Sequence, residues 1–289
     1  MGGTIVSESC NSCAAAGSCN TESCSSEPQL TKAQKVSHVK KVIAVMSGKG
    51  GVGKSSVTGM LAVSLMRQGY KVGILDSDIT GPSIPKIFGI KERAGASQGG
   101  IIAPTSRGGI KVMSLNLMIE NEDDPVILRG PLITQVVNQF WKDVIWGELD
   151  YLLIDMPPGT GDVAITIFQS LPINGVVMVT SPQALANMVV RKAIKMVRNY
   201  EPPIYGLIEN MAYVQCPDCS KQIEVFGKPQ GEEEAKRNSI PFLGALPLDP
   251  ALSALSDAGK IEDYQSPDFD QIANMLAEQI KTNSNKNLA

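Results

Sequence analysis

The chain has 289 residues, 43% of them hydrophobic, with Lys+Arg 26 against Asp+Glu 29 and a net charge of -3. That length carries a sizeable core in one large domain with appendages, and the charge balance supplies no basic field for a phosphate backbone, which excludes nucleic acid as the principal partner. No apolar run reaches membrane-spanning length and the N-terminus lacks the basic and apolar regions of a secretory signal, so a cytoplasmic protein without a membrane partner is expected.

Residues 1–38 hold Ser, Asn, Gly, Ala and Cys with almost no large apolar side chain, which predicts a flexible cysteine-containing segment. Four of the six cysteines fall here as Cys10-x2-Cys13-x5-Cys19-x4-Cys24, and clustering of this kind favours a metal over a disulfide framework. Four thiolates suffice for a metal centre within one chain; a thiol-bearing segment without metal is the alternative. His38, the only histidine, reads as a solvated linker residue, so histidine-based catalysis and zinc binding are left out.

Residues 39–282 form the main domain and 283–289 a polar disordered tail, with fraying from Thr282. Short β-branched runs at Val42–Met46, Val72–Asp76, Ile110–Leu115, Tyr151–Asp155, Val176–Thr180, Ile204–Glu209 and Pro241–Leu246 alternate with helical patterns. The helices are Ser55–Gln68, Leu132–Phe140, Ala184–Asn199, Gly231–Asn238 and Asp268–Lys281. This alternation predicts an α/β fold, a doubly wound, mostly parallel sheet flanked by helices. Residues 92–109, rich in Gly and Ser, read as an excursion or mobile loop.

The first strand runs into Gly48-Lys49-Gly50-Gly51-Val52-Gly53-Lys54-Ser55-Ser56, which satisfies G-x-x-x-x-G-K-S/T. In such a loop backbone N–H groups surround a nucleotide's phosphates, Lys54 neutralises them and Ser55 ligates magnesium, while the following helix points its positive end at the same place. Tyr151-Leu-Leu-Ile-Asp155 is a buried strand ending in an acid suited to hold magnesium. The Met-Pro-Pro-Gly-Thr-Gly-Asp162 that follows has the stiffness and glycine punctuation of a switch loop. Asp76 and Asp78 end another strand; one acid can bind metal and the other orient water, although paired aspartates also serve turns.

Lys49, directly after the first glycine, resembles the deviant Walker A lysine of the nitrogenase iron protein, MinD and ParA ATPases, where it reaches across a dimer to the partner's nucleotide. Glycine loop, Asp76-Ser-Asp-Ile-Thr-Gly-Pro-Ser83, Leu153-Ile-Asp-Met-Pro-Pro-Gly-Thr-Gly-Asp162 and Glu209-Asn-Met-Ala-Tyr-Val-Gln-Cys-Pro-Asp-Cys219 together resemble the Mrp-type iron–sulfur cluster carrier ATPases, in that family's order. The resemblance covers roughly Lys41 to Asp263. It implies that Lys49 and Lys54 bind phosphates, Ser55 and Asp155 bind magnesium with Asp76 nearby, Asp78 positions the attacking water, and Asn210 contacts adenine. No role for Arg129 follows from it.

Cys216-Pro-Asp-Cys219 supplies half of the four thiolates that a cluster or a structural zinc ordinarily takes. From residues alone zinc and iron–sulfur stand level. The resemblance points to a 4Fe-4S cluster bridging a homodimer, with apoproteins as recipients. For Cys10, Cys13, Cys19 and Cys24 it is partial: larger carriers share the C-x2-C-x5-C portion but place their remaining cysteine upstream. The expected function is therefore an ATPase, with ATP, Mg2+ and an iron–sulfur cluster as cofactors, that binds a cluster and transfers it. Its turnover is expected to be slow because no arginine finger is assignable. A MinD- or ParA-like positioning ATPase and a zinc-stapled nucleotide-binding regulator are the rivals. The helix Asp268–Lys281, with one lysine and three acids, lacks the basic face that a MinD-type membrane handle needs.

Overall fold

A computed structural model describes residues 30–78, 81, 83–118 and 130–286. Cys10, Cys13, Cys19, Cys24 and Arg129 lie outside them. The core is a sheet of seven parallel strands, and each expected strand is present. They are β1 (His38–Ser47), β2 (Val72–Asp76), β5 (Lys111–Met113), β6 (Glu148–Asp155), β7 (Gly175–Thr180), β8 (Ile204–Glu209) and β11 (Phe242–Ala245). The order across the sheet is β11-β8-β7-β1-β6-β2-β5, so the strand that feeds the glycine loop is central.

Side-chain alternation along β1 explains the two-sided core. Ile43 and Val45 join one apolar cluster with Val57, Leu61 and Leu65 of α2 (Lys54–Arg67) and Phe269, Ile272 and Leu276 of α9 (Pro267–Lys286). Val42, Ala44 and Met46 join the other, with Val137 and Phe140 of α4 (Gly130–Asp143), Ile167 of α5 (Asp162–Ser170) and Val190 and Ile194 of α6 (Ala184–Asn199). Each such side chain taken fully out of water contributes about 1.5–3 kcal/mol. Helix α2 is buried on almost every side from Val57 to Leu65, so the helix whose N-terminus faces the loop is clamped in the core.

Four differences from the sequence reading have local causes. The core starts before residue 39: α1 (Lys32–Lys35) has a capping box between Thr31 and Gln34, Thr31 Oγ1 donates to the Lys142 carbonyl, and His38 begins β1 with its N–H on the Gly147 carbonyl. At the other end α9 continues to Lys286, where a tail from 283 was expected, and Lys41 Nζ donates to Ser284 Oγ at 2.9 Å. Within 92–109 a small antiparallel hairpin, β3 (Gly95–Ser97) with β4 (Gly100–Ile102), replaces the excursion. Helices α3 (Ile84–Ile87), α5 and α8 (Pro250–Asp257) were missed because they are short; α8 still carries its start signal, Asp249 capping Ala251 with Pro250 in the first turn. Helix α7 (Gly231–Arg237) lies where expected. No described helix is long and apolar enough to cross a membrane.

Candidate nucleotide site and cysteine hairpin

The C-terminal ends of β1, β2 and β6 bring three separated sequence motifs together. Gly53 adopts the left-handed conformation at φ 75°, which lets the loop turn into α2. Around it lies a cavity of about 250 Å³ lined by Ser47, Lys49, Lys54, Ser55, Asp78 and Pro158, with Gly50, Gly51, Gly53, Ser56 and Ser83 also on its wall. Val52 is buried beneath. Gly48 has no room for a side chain: a Cβ there would stand 2.5 Å from the Val189 carbonyl carbon and the Val190 nitrogen of α6.

The loop's charged centre is closed on itself. Lys54 Nζ lies 2.8 Å from Asp155 Oδ1, the two side chains being 6% and 0% exposed. Ser55 Oγ is 2.6 Å from Asp155 Oδ2 and Thr58 Oγ1 is 2.7 Å from Asp155 Oδ1. Thr58 was missed from the sequence, although it lies one helical turn after Lys54 and so faces the same acid. Register places Asp76 opposite Asp155 across β2 and β6. Burial, and then the Asp155 charge, push the Asp76 carboxyl well above the ordinary carboxylate range, against the pull of Lys54 and of the Asp78 and Ile84 N–H groups. Asp76 and Asp78 do not share one environment: the strand ends at Asp76, which is 1% exposed, and the chain turns so that Asp78 lines the cavity.

Ser55, Asp76 and Asp155 are hard oxygen donors gathered beside the positive end of α2, and they fit a magnesium ion. Lys49 projects from the loop but Nζ donates to Gln183 Oε1 of its own chain at 2.7 Å, a partner the sequence did not reveal. Asn210, 6% exposed at the end of β8, donates from Nδ2 to the Val52 carbonyl at 2.9 Å, so one amide N–H holds the phosphate loop. The switch-like segment is anchored through Met156 N–H to Val45 O and Gly159 N–H to Ser47 O.

The second site follows β8. Strands β9 (Val214–Gln215) and β10 (Gln222–Ile223) form an antiparallel hairpin with Cys216-Pro-Asp-Cys219 in its turn. Cys216 N–H bonds to Lys221 O at 2.9 Å and Ser220 N–H to Cys216 O at 2.9 Å, folding the turn so that both thiols are free, Cys216 half-buried and Cys219 exposed. The N–H groups of Cys219 and Asp218, with the Cys219 side chain, hold the Cys216 thiol below its ordinary range. Among the described residues no cluster of three or more His, Cys, Asp or Glu is placed to hold a metal ion, so the hairpin brings together two thiols and no third ligand of these types.

Comparison with known proteins places the chain in a family. Residues 38–281 match the family model described as the NUBPL iron-transfer P-loop NTPase of the ParA group. The iron-sulfur cluster carrier protein of Clostridium perfringens is 46% identical over 272 residues, covering 89% of this chain and 94% of that one. That of Methanococcus maripaludis is 42% identical over 282 residues, covering 95% and 98%. Among solved structures, the nucleotide-binding protein of Archaeoglobus fulgidus in complex with ADP and with cobalt has a TM-score of 0.72 at 45% identity, covering 80% of this chain and 90% of that one. The MinC:MinD complex of Aquifex aeolicus aligns with a TM-score of 0.60 at 18% identity, covering 83% and 96%, which speaks to the fold alone. The phosphate loop, its two strand-end acids and the cysteine hairpin all lie within the matched span, and the chain belongs to the NUBPL iron-transfer P-loop NTPase family.

Proposed function

We propose that this chain is an iron–sulfur cluster carrier that hydrolyses ATP, holding its cargo between two copies of itself and handing it to apoproteins. The observation that carries the reading is that β8 of the main sheet links the two sites: the Asn210 amide at its end holds the phosphate loop, and the chain beyond it enters the small separate hairpin that carries the cysteine pair. The relatives named as carriers support it.

In this reading the loop N–H groups and Lys54 take the ATP phosphates, and Ser55, Asp155 and Asp76 hold Mg2+, which when bound neutralises phosphate oxygens and orients them. Asp78, on the cavity wall, positions the attacking water. Lys49 leaves Gln183 to reach the nucleotide of the second copy, and Asn210 meets adenine with the amide edge that Val52 does not engage. With no arginine finger assigned, turnover is slow. Cys216 and Cys219 of two copies supply four soft thiolates, the ordinary complement for a 4Fe-4S cluster. Cys10, Cys13, Cys19 and Cys24 are proposed as a second centre.

Anaerobic purification with quantified iron, sulfide and zinc, followed by transfer to an apo-ferredoxin, tests the reading. A chain with Ser at all four N-terminal cysteine positions should retain a cluster and pass it on, and adding Cys216→Ser with Cys219→Ser should bring iron to background. In the converse variant, Ser at Cys216 and Cys219 alone, iron that persists belongs to the N-terminal quartet. Zinc in place of iron at the hairpin would replace the carrier reading with a zinc-stapled regulator.

A further inference from the structure

The chain that leaves the phosphate loop's underside runs straight to the cysteines. Asn210 Nδ2 holds the Val52 carbonyl at 2.9 Å, and a Cβ on Gly53 would lie 2.3 Å from that Nδ2 and 3.2 Å from Met211 Cε. Residues 210–211 therefore pack directly against the loop at Gly53. Behind Asn210 the chain cannot yield, because β8 is paired on both sides, Thr180 with Glu209 and Glu209 with Ala245, and the Asn210 N–H is on the Thr180 carbonyl. Ahead of it, Met211 has φ 58°, in the left-handed region that a residue with a Cβ seldom adopts. Next come Ala212, whose N–H bonds to Leu246 O, and Tyr213, whose carbonyl accepts the Leu248 N–H. These two bonds form a pivot, and the strand beyond it carries Cys216.

The geometry points to Asn210 and Met211 as a positioning element through which nucleotide at the phosphate loop sets the cysteine hairpin. A shift of the Val52–Gly53 backbone on phosphate binding pushes on the Asn210 amide and the Met211 side chain. The ladder blocks motion into β8, so the displacement is taken up at the left-handed Met211 and turned at the pivot into a change in how Cys216 and Cys219 are presented. In the carrier reading, on which this rests, the same movement separates a holding state from a releasing state.

The test reads the thiols and needs no cluster. Full-length protein without metal is labelled with iodoacetamide, alone, with Mg-ADP, and with Mg and a non-hydrolysable ATP analogue, and the labelling rate of Cys216 and of Cys219 is followed by peptide mass spectrometry. In the wild type the Cys216 rate should change by about fivefold between nucleotide states, the lower end of ordinary coupling energies. Met211→Gly keeps the left-handed backbone and removes the contact with Gly53; it should bind ADP yet lose the nucleotide dependence, leaving one labelling rate in all three states. Met211→Leu should restore it. A merely structural role would alter baseline labelling or melting temperature and leave the response intact. A wild type whose thiols ignore nucleotide, a Met211→Gly that responds fully, or a Met211→Gly that no longer binds ADP would each overturn the proposal. Because labelling is independent of iron, a chain that responds here and yet binds no cluster would count against the carrier reading alone.

Discussion

Lys54 Nζ and Asp155 Oδ1 sit 2.8 Å apart in an environment almost closed to water. Asp155 also accepts from Ser55 and Thr58, so three protein donors hold this carboxylate, while Lys54 and Ser55 also line the neighbouring cavity. In the proposed reading a phosphate that binds Lys54 competes with Asp155 for it.

Lys54→Ala is expected to abolish ATP hydrolysis and also to weaken the nucleotide-free protein. Removing one member of a buried pair strands the other, at about 3–5 kcal/mol, and the Ser55 and Thr58 donors reduce that to about 2 kcal/mol. Urea unfolding of the nucleotide-free protein measures it, and an unchanged midpoint would show that Asp155 does not depend on Lys54.

Gly48→Ala is expected to displace α6 or the loop, since its methyl would meet backbone that cannot rotate away. A cost of about 3 kcal/mol follows from overpacking, with a matching loss of ADP affinity. Thermal melts and calorimetric titration with ADP report both.

Lys49→Ala should leave stability within about 0.5 kcal/mol, because the lysine bonds only to Gln183 at a part-buried position. Hydrolysis should fall about a hundredfold, the usual effect of losing one transition-state donor. Dimers of one wild-type and one Lys49→Ala copy decide the route: if the lysine acts across the interface, the defect follows the nucleotide bound to the wild-type copy.

Burial lifts the Glu209 carboxyl above its ordinary value of 4.5, against the Gln230 and Gly231 N–H groups that stabilise its charge. Between that value and the raised one the folded chain binds more protons than the unfolded chain, so this group's contribution is present at low pH and is lost as pH rises. Glu209→Gln keeps an oxygen for the Gln230 N–H and removes the buried charge. Its melting temperature should exceed the wild type's by a few degrees at neutral pH and converge with it in acid.

What could be read from the sequence was what chemistry demands of neighbours in the chain. The phosphate loop needs its glycines, lysine and serine in one run, and Cys216 and Cys219 must be close together to share a metal. The strands were legible because each contains a compact apolar run, fully buried in β2 and β7 and over the second half of β1. Relations across the sheet were hidden. Asp76 meets Asp155 only through the register of β2 and β6, and Gln183 meets Lys49 only because α6 is pressed against Gly48. Asn210 was assigned to adenine from its family motif, and nothing local signals that its amide also carries the Val52 carbonyl. Short pieces such as α3 and the β3–β4 hairpin fall below the length at which periodicity can be seen.

The placing of β1 and of the β9–β10 hairpin has a consequence for how the molecule opens. β1 has neighbours on both sides and apolar layers above and below, so its amides should exchange with solvent only on global unfolding. The hairpin pairs two residues with two, has no further strand, and exposes Ile223 and Val225, which makes it a piece that breathes alone at little cost. A metal held by Cys216 and Cys219 would clip that loose end, so the empty hairpin should be the first segment cut by a protease and the filled one should resist. In the carrier reading the nucleotide is thus gripped by the part of the chain that opens last, and the cargo sits on a part whose order it helps to create.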